Sequence, residues 1–250
     1  MVLKSLFARK PVAPPRAIPA GERVYAIGDV HGRRDCLDAL LIRIGEDDRA
    51  RGAARTTIVL LGDLVDRGPE SRGVIERLMQ LAQVRPCIFL MGNHEEVFID
   101  AWEGDEAAAR LFHRIGGRET LLSYGVTVED YDSADFARLI VLLATHVPAD
   151  HIAFLRGFRD TYRAGDYLFV HAGIRPGRPI EEQEPTDMRW IRDRFLNDPR
   201  DHGVVVVHGH SIAAVVDDLP NRIGIDTGAY ASGKLTAVGL EGGERWFLST

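Results

Sequence analysis

Five short apolar runs in this chain each end on a polar side chain of a kind that binds cations, next to a glycine. Val24 to Gly28 runs into Asp29-Val30-His31-Gly32, and Thr56 to Gly62 into Asp63-Leu64-Val65-Asp66-Arg67-Gly68. Cys87 to Met91 is followed by Gly92-Asn93-His94-Glu95, Tyr167 to Val170 by His171-Ala172-Gly173, and Val204 to Val207 by His208-Gly209-His210. Short apolar runs bounded by turn residues read as buried strands, and glycine allows a sharp turn and a close backbone approach. In open α/β sheets the ligand crevice lies outside the carboxyl ends of the strands. The pattern therefore gathers Asp, His and Asn from distant parts of the chain at one place. A lone Asp or His after a strand is usually a helix cap; an ordered set of five is not explained that way.

The segments between the strands read as helices. Arg33 to Ile44 carries Leu37, Leu40, Leu41 and Ile44 on one face, and Glu70 to Ala82 carries Val74, Ile75, Leu78 and Leu81. Pro69 stands where a helix tolerates the missing N–H. This β-α-β-α-β run implies a parallel sheet with right-handed crossovers. Residues 94–158 carry mostly helical patterns, and from 160 onward strand patterns return, at 167–170, 204–207, 222–225, 235–240 and 245–248. The expected organisation is an N-terminal arm at 1–22 and one α/β domain over 23–250, with a helical insertion at about 95–165.

Composition narrows the function. The formal charge of −6, from 31 Lys+Arg against 37 Asp+Glu, argues against a nucleic-acid binder working by bulk charge. Two cysteines, Cys36 and Cys87, make no disulfide framework. The apolar runs fall far short of the ~20 residues of a spanning helix, and the N-terminus lacks the apolar stretch of a signal peptide. The expectation is a cytoplasmic protein with no membrane or nucleic-acid partner. Carboxylate, amide and imidazole donors suit Mn, Fe, Zn or a related ion. Six candidates exceed the needs of one ion and suggest two metals sharing a carboxylate, an arrangement suited to phosphoryl displacement.

Asp-x-His-Gly, Gly-Asp-x-Val-Asp-Arg-Gly, Gly-Asn-His-Glu, a later His-Ala-Gly and a final Gly-His together resemble the calcineurin-like metallophosphoesterases. The Asp-Arg-Gly variant resembles their phosphoprotein phosphatase branch, and its compact bacterial members above all. The resemblance runs from Gly28 to about Gly228, with residues 95–165 matching no motif. It implies an α/β fold of two packed β-sheets flanked by helices. It also implies two divalent ions, Mn first, with Fe, Zn, Ni or Co as alternatives. Asp29 and His31 would bind the first metal, Asp63 would bridge, and Asn93, His171 and His210 would complete the second. His94, held by Asp66, would be the general acid. Arg67 would hold the substrate phosphate together with Asn93, and so would Arg192, chosen because it follows a Trp in Trp190-Ile191-Arg192 with Arg189 and Arg194 close by. His208 matches no ligand position and reads as support.

The implied activity is hydrolysis of phosphoserine or phosphothreonine in proteins, by direct attack of metal-bound hydroxide without a phosphoenzyme. The alternative is a symmetrical diadenosine polyphosphate hydrolase, a sister branch that often lacks the Asp of Asp-Arg-Gly. A non-catalytic phosphopeptide binder would be expected to have lost a ligand or His94. Phosphorylated protein, peptide or a small phosphate ester is the expected partner. Gly228 to Leu235 nearly spells a phosphate-binding loop, but Leu235 replaces the required Ser/Thr, and a β-hairpin turn is expected. Cys87 lies within a strand pattern and lacks the Arg of a cysteine phosphatase. Met91 and Met188 read as packing residues, and Glu181 to Glu184 as a solvated loop.

Overall fold

The computed structural model describes residues 16–250. Its elements in order are β1 (Glu22–Ile27), α1 (Arg34–Ala50), β2 (Arg55–Leu60), α2 (Ser71–Val84), β3 (Cys87–Phe89), α3 (Asn93–Trp102), α4 (Glu106–Ile115), α5 (Gly117–Ser123), α6 (Val128–Asp132), α7 (Phe136–His146) and α8 (Ala149–Arg156). There follow β4 (Thr161–Ala164), β5 (Tyr167–Val170), a 3₁₀ turn (Ile180–Glu182), α9 (Pro185–Trp190), α10 (Asp193–Leu196), β6 (Val205–His208), β7 (Asp217–Asp218), β8 (Arg222–Gly224), α11 (Ala229–Ser232), β9 (Thr236–Glu241) and β10 (Glu244–Ser249).

The strands form two five-stranded sheets, ordered β10-β9-β1-β2-β3 and β4-β5-β6-β8-β7. In the first, β1, β2 and β3 are parallel, as the β-α-β-α-β pattern predicts, and β9 and β10 add antiparallel. In the second, β5, β6 and β8 are parallel between antiparallel edges. The strand period of two sends alternate side chains to opposite faces. Val24, Ala26, Val59 and Leu61 meet Phe169, Val205, Val207 and Ile223 between the sheets. Tyr25, Ile27, Ile58 and Leu60 meet Leu37, Leu40, Val74 and Leu78 of α1 and α2. Met188, Ile191 and Phe195 cover the outer face of the second sheet. This layering of helices, two sheets and helices is the expected fold. The insertion has its own core around Phe98, Phe112, Leu121, Leu142 and Leu143.

Several sequence readings need correction. The helices of the insertion end at Arg156, and Thr161–Ala164, placed within the expected helical insertion, form the edge strand β4. That strand mixes Tyr162 with Arg163 and is half-exposed, so it carries no apolar run. Pro69 lies outside α2, whose N-cap is Glu70. Gly228 to Leu235 is a helical turn rather than a hairpin turn. Gly228 and Gly233 both take the left-handed conformation and bracket α11. Gln183 is buried within the supposedly solvated Glu181–Glu184 run, where its amide bonds the backbone of Arg175 and Arg178. Most of the predicted arm, residues 1–15, lies outside the described residues. Ala17 and Ile18 are tied down, their N–H groups donating to Asp166 Oδ2 and the Gly242 carbonyl, both at 2.9 Å.

The two sheets come close together where β1 ends. A Cβ on Gly28 would stand 2.6 Å from the Ile225 carbonyl oxygen. Backbone cannot yield as a side chain does, so Gly28→Ala is expected to destabilise the fold by about 1–3 kcal/mol, measured as the shift of the urea midpoint at unchanged slope.

Candidate metal centre

Both sheets deliver their parallel strands to the same edge. β1 leads to Asp29 and His31, β2 to Asp63, and β3 to Asn93. β5 leads to His171, and β6 to His210. All six are buried. Asp63 is the meeting point. Its Oδ2 lies 3.6 Å from His31 Nε2 and 3.8 Å from His94 Nε2, and its Oδ1 lies 3.3 Å from His171 Nε2. His171 Nε2 is also 3.0 Å from Asn93 Oδ1 and 3.1 Å from His210 Nδ1. Two donor groups thus share Asp63: His31 with His94, and His171 with His210. Ligand bonds of about 2.0–2.2 Å put neighbouring donors roughly 3 Å or a little more apart, so these spacings fit a cation between them.

The imidazoles are oriented by their far nitrogens. His31 Nδ1 donates to the Val65 carbonyl and His171 Nδ1 to the Leu61 carbonyl, each at 2.8 Å. A carbonyl can only accept, so Nε2 of each ring presents a lone pair inward. His31 Nε2 is buried and has no hydrogen-bond partner, while on His210 it is Nδ1 that faces His171. Burial pushes the His31 imidazole down to about 3 and the His210 imidazole down to about 2, which keeps both neutral as ligands require. Asp29 accepts from the His210 N–H at 2.9 Å. Burial, then the nearby Asp226 and Asp63 carboxylates, push Asp29 well above the usual carboxylate range. Crowded buried carboxylates and the unpartnered His31 Nε2 fit a pair of divalent cations. Asp29 stands beside the two donor groups rather than inside either.

His94, in the first of these groups, also has a buried partner of its own. His94 Nδ1 is 2.7 Å from Asp66 Oδ2, and both side chains are buried. Burial opposes charge on His94, but Asp63 and Asp66 outweigh it and hold its pKa above the ordinary value. Asp66 is itself held: Thr120 Oγ1 donates to its Oδ1 at 2.6 Å, and Ser71 Oγ lies 2.9 Å from Thr120 Oγ1. Arg67 Nη2 donates to His94 Nε2 at 3.0 Å, while the Arg67 N–H donates to the Gly116 carbonyl. Of the three candidate arginines after β5, Arg189 is engaged by Glu96 and Asp160. Arg192 reaches the site, its Nη1 donating to the His210 carbonyl at 3.2 Å. His208 packs on Phe195, and its Nδ1 lies 3.0 Å from the Gly209 carbonyl.

Four residues escape the sequence reading. Glu95 is fully buried and accepts from the N–H groups of Asp63 (2.8 Å), Leu64 (2.8 Å) and Gly92 (3.1 Å). Asp226 follows β8 as the others follow their strands, so the same strand-end rule would have found it. Thr120 comes from the insertion, which holds no motif. Tyr230, on α11, stacks its ring 4.9 Å from the Arg67 guanidinium carbon.

A family model described as calcineurin-like phosphoesterase matches residues 22–234. The chain is 31% identical over 160 residues to a symmetrical bis(5'-nucleosyl)-tetraphosphatase of Acidovorax ebreus, covering 64% of this chain and 47% of that protein, so it spans about half the length of that relative. It is 27% identical over 228 residues to serine/threonine-protein phosphatase 1 of Salmonella typhimurium, covering 87% of this chain and 92% of that one. A crystal structure provisionally described as a diadenosine tetraphosphatase superposes with a TM-score of 0.64 at 22% identity, over 94% of this chain and 98% of that one. At that identity the likeness bears on the fold alone.

Glu95→Gln would turn an amide NH₂ toward the donors its second oxygen now serves. A buried unsatisfied donor costs about 1–3 kcal/mol, and urea unfolding of the variant should show a loss of that size.

Proposed function

Because the chain belongs to the calcineurin-like phosphoesterase family, we propose that it hydrolyses phosphomonoesters, with phosphoserine and phosphothreonine in proteins as its substrates. Asp29, His31 and Asp63 would hold one divalent cation, and Asp63, Asn93, His171 and His210 the other. Manganese is the proposed ion, in keeping with the mixed oxygen and nitrogen donors. Bound there, two dications lower the pKa of a water toward ~7 and draw charge from the phosphoryl oxygens.

The chain's own residues do the rest. Arg67 and Arg192 bind the equatorial phosphoryl oxygens, for which a planar guanidinium offers paired donors. Asn93 adds an amide beside them. Water oxygen bonds to phosphorus, the ester P–O bond breaks opposite it, and the leaving oxygen takes a proton from His94 Nε2. Arg67 donates to that nitrogen at 3.0 Å in the structure. A phosphate that draws Arg67 onto itself leaves Nε2 free to carry the proton. Asp66 receives Nδ1–H and stabilises the charged ring.

The observation that carries the reading is the buried Asp66–His94 pair at 2.7 Å. A serine or threonine alkoxide is a poor leaving group and needs its proton. A nucleotide phosphate, with a second pKa near ~6, leaves without one. The second reading, hydrolysis of dinucleoside polyphosphates, draws on the likeness to the Acidovorax ebreus enzyme.

The deciding assay compares kcat/KM of the Mn²⁺-loaded protein for a phosphothreonine peptide and for diadenosine tetraphosphate, with metal-stripped protein as control. Preference for the peptide is expected, and preference for the dinucleotide would replace this reading with the second. His94→Asn and Asp66→Asn should lower kcat on the peptide by about 10²–10⁴. The loss should be smaller on p-nitrophenyl phosphate, whose leaving group is far more acidic. Metal content should not change.

A further inference from the structure

We propose that Glu96, which has no part in the reaction just described, is a positioning residue for Arg192: from the first turn of α3 it clamps the end of α9 and so sets where the Arg192 guanidinium stands. The proposal rests on the phosphomonoesterase reading, in which Arg192 binds phosphate.

The α9 helix has six residues and no side-chain N-cap. A helix that short is marginal alone and takes its place from tertiary contacts. Met188 packs in the outer core, and the Ala172 N–H donates to its carbonyl at 2.8 Å, which holds the body of the helix. Its C-terminal end is held differently. Trp190 Nε1 donates to Glu96 Oε2 at 2.6 Å, and Arg189 Nη1 donates to Glu96 Oε1 at 2.7 Å. Arg189 Nε completes the clamp on Asp160 Oδ1 at 2.7 Å.

Two residues beyond Trp190 the chain reaches Arg192, the N-cap of α10. On one side the Arg192 carbonyl accepts the N–H groups of Phe195 and Leu196. On the other side Ile191 packs in the outer core and donates its N–H to the Asp187 carbonyl, and the Glu96 clamp holds Trp190 next to it. Glu96 shares its helix with Asn93 and His94. One rigid element therefore places the amide and the imidazole directly, and the guanidinium through the clamp. Both carboxylate oxygens of Glu96 accept, and both partners are pure donors. Even the isosteric Gln would oppose an NH₂ to one of them.

The test is a double-mutant cycle on the Mn²⁺-loaded protein. It is read as inorganic phosphate affinity by titration calorimetry and as KM against kcat on p-nitrophenyl phosphate. Glu96→Ala and Arg192→Ala should each weaken phosphate binding by about tenfold, within the range for residues coupled through one network. The double variant should bind no more weakly than Arg192→Ala alone, and metal content should stay the same. Glu96→Gln should show a smaller loss in the same direction, and it carries the cycle if Glu96→Ala does not fold. Single losses that multiply to about a hundredfold, or phosphate affinity untouched by the Glu96 change, overturn the clamp and leave the phosphomonoesterase reading standing. Wild-type protein that does not bind phosphate overturns both.

Discussion

The carboxylate of Asp63 stands buried among His31, His94 and His171, and the rest of the site is built so that it can. A buried charge is costly unless it is paired. Here burial works against the charge, and the neighbouring His171 and His94 outweigh it, holding the carboxyl well below the usual range. Its position depends on backbone as much as on side chains, because Asp63 takes a φ of 50°. Glu95 makes that conformation tolerable by accepting the N–H groups of the turn. Gly92 gives it room, since a Cβ there would fall 2.3 Å from Asp63 Oδ1. The centre is therefore an arrangement of strand ends before it is an arrangement of ligands.

Strain is concentrated at the same place. Among the described residues, the non-glycine positions with positive φ are His31, Asp63, Asp66, Arg67 and His210. Each such residue costs of order 1–3 kcal/mol and persists only where its surroundings over-determine it. The surroundings here are two sheets packed face to face, with hydrogen bonds running between their strand ends. His171 Nδ1 on β5 reaches the carbonyl after β2, and His210 N–H reaches Asp29 after β1. The helical insertion adds a second constraint. Through Thr120 and the Gly116 carbonyl it grips Asp66 and Arg67, so the segment without motifs orients the motif residues.

Much of this was legible in the chain. Strand ends are marked by an apolar run, a glycine and a polar residue, and that signal is local. It brought out Asp29, His31, Asp63, Asn93, His171 and His210, and the structure brings all six to one edge. The first helices were legible because their apolar positions recur at helical spacing. β4 was not, because a half-exposed edge strand needs no apolar run. The turn at Gly228 was misread because a four-residue helix bracketed by two left-handed glycines looks locally like a hairpin. Glu95 was visible but gave no hint of its part, since an acidic residue in the first turn of a helix is ordinary.

What the sequence determined by itself was the chemistry available at the site: which donors exist, that none is a thiolate, and that each follows a strand. Residue type and spacing are local properties and survive being read in one dimension. Only the tertiary structure decided which nitrogen of each imidazole faces inward, because the carbonyls that orient His31 and His171, Val65 and Leu61, come from the segment after β2. It alone separated Arg192 from Arg189, since the carboxylates that engage Arg189 lie 93 and 29 residues away. Those choices depend on pairs of groups far apart in the chain, and no local pattern records which pair will meet.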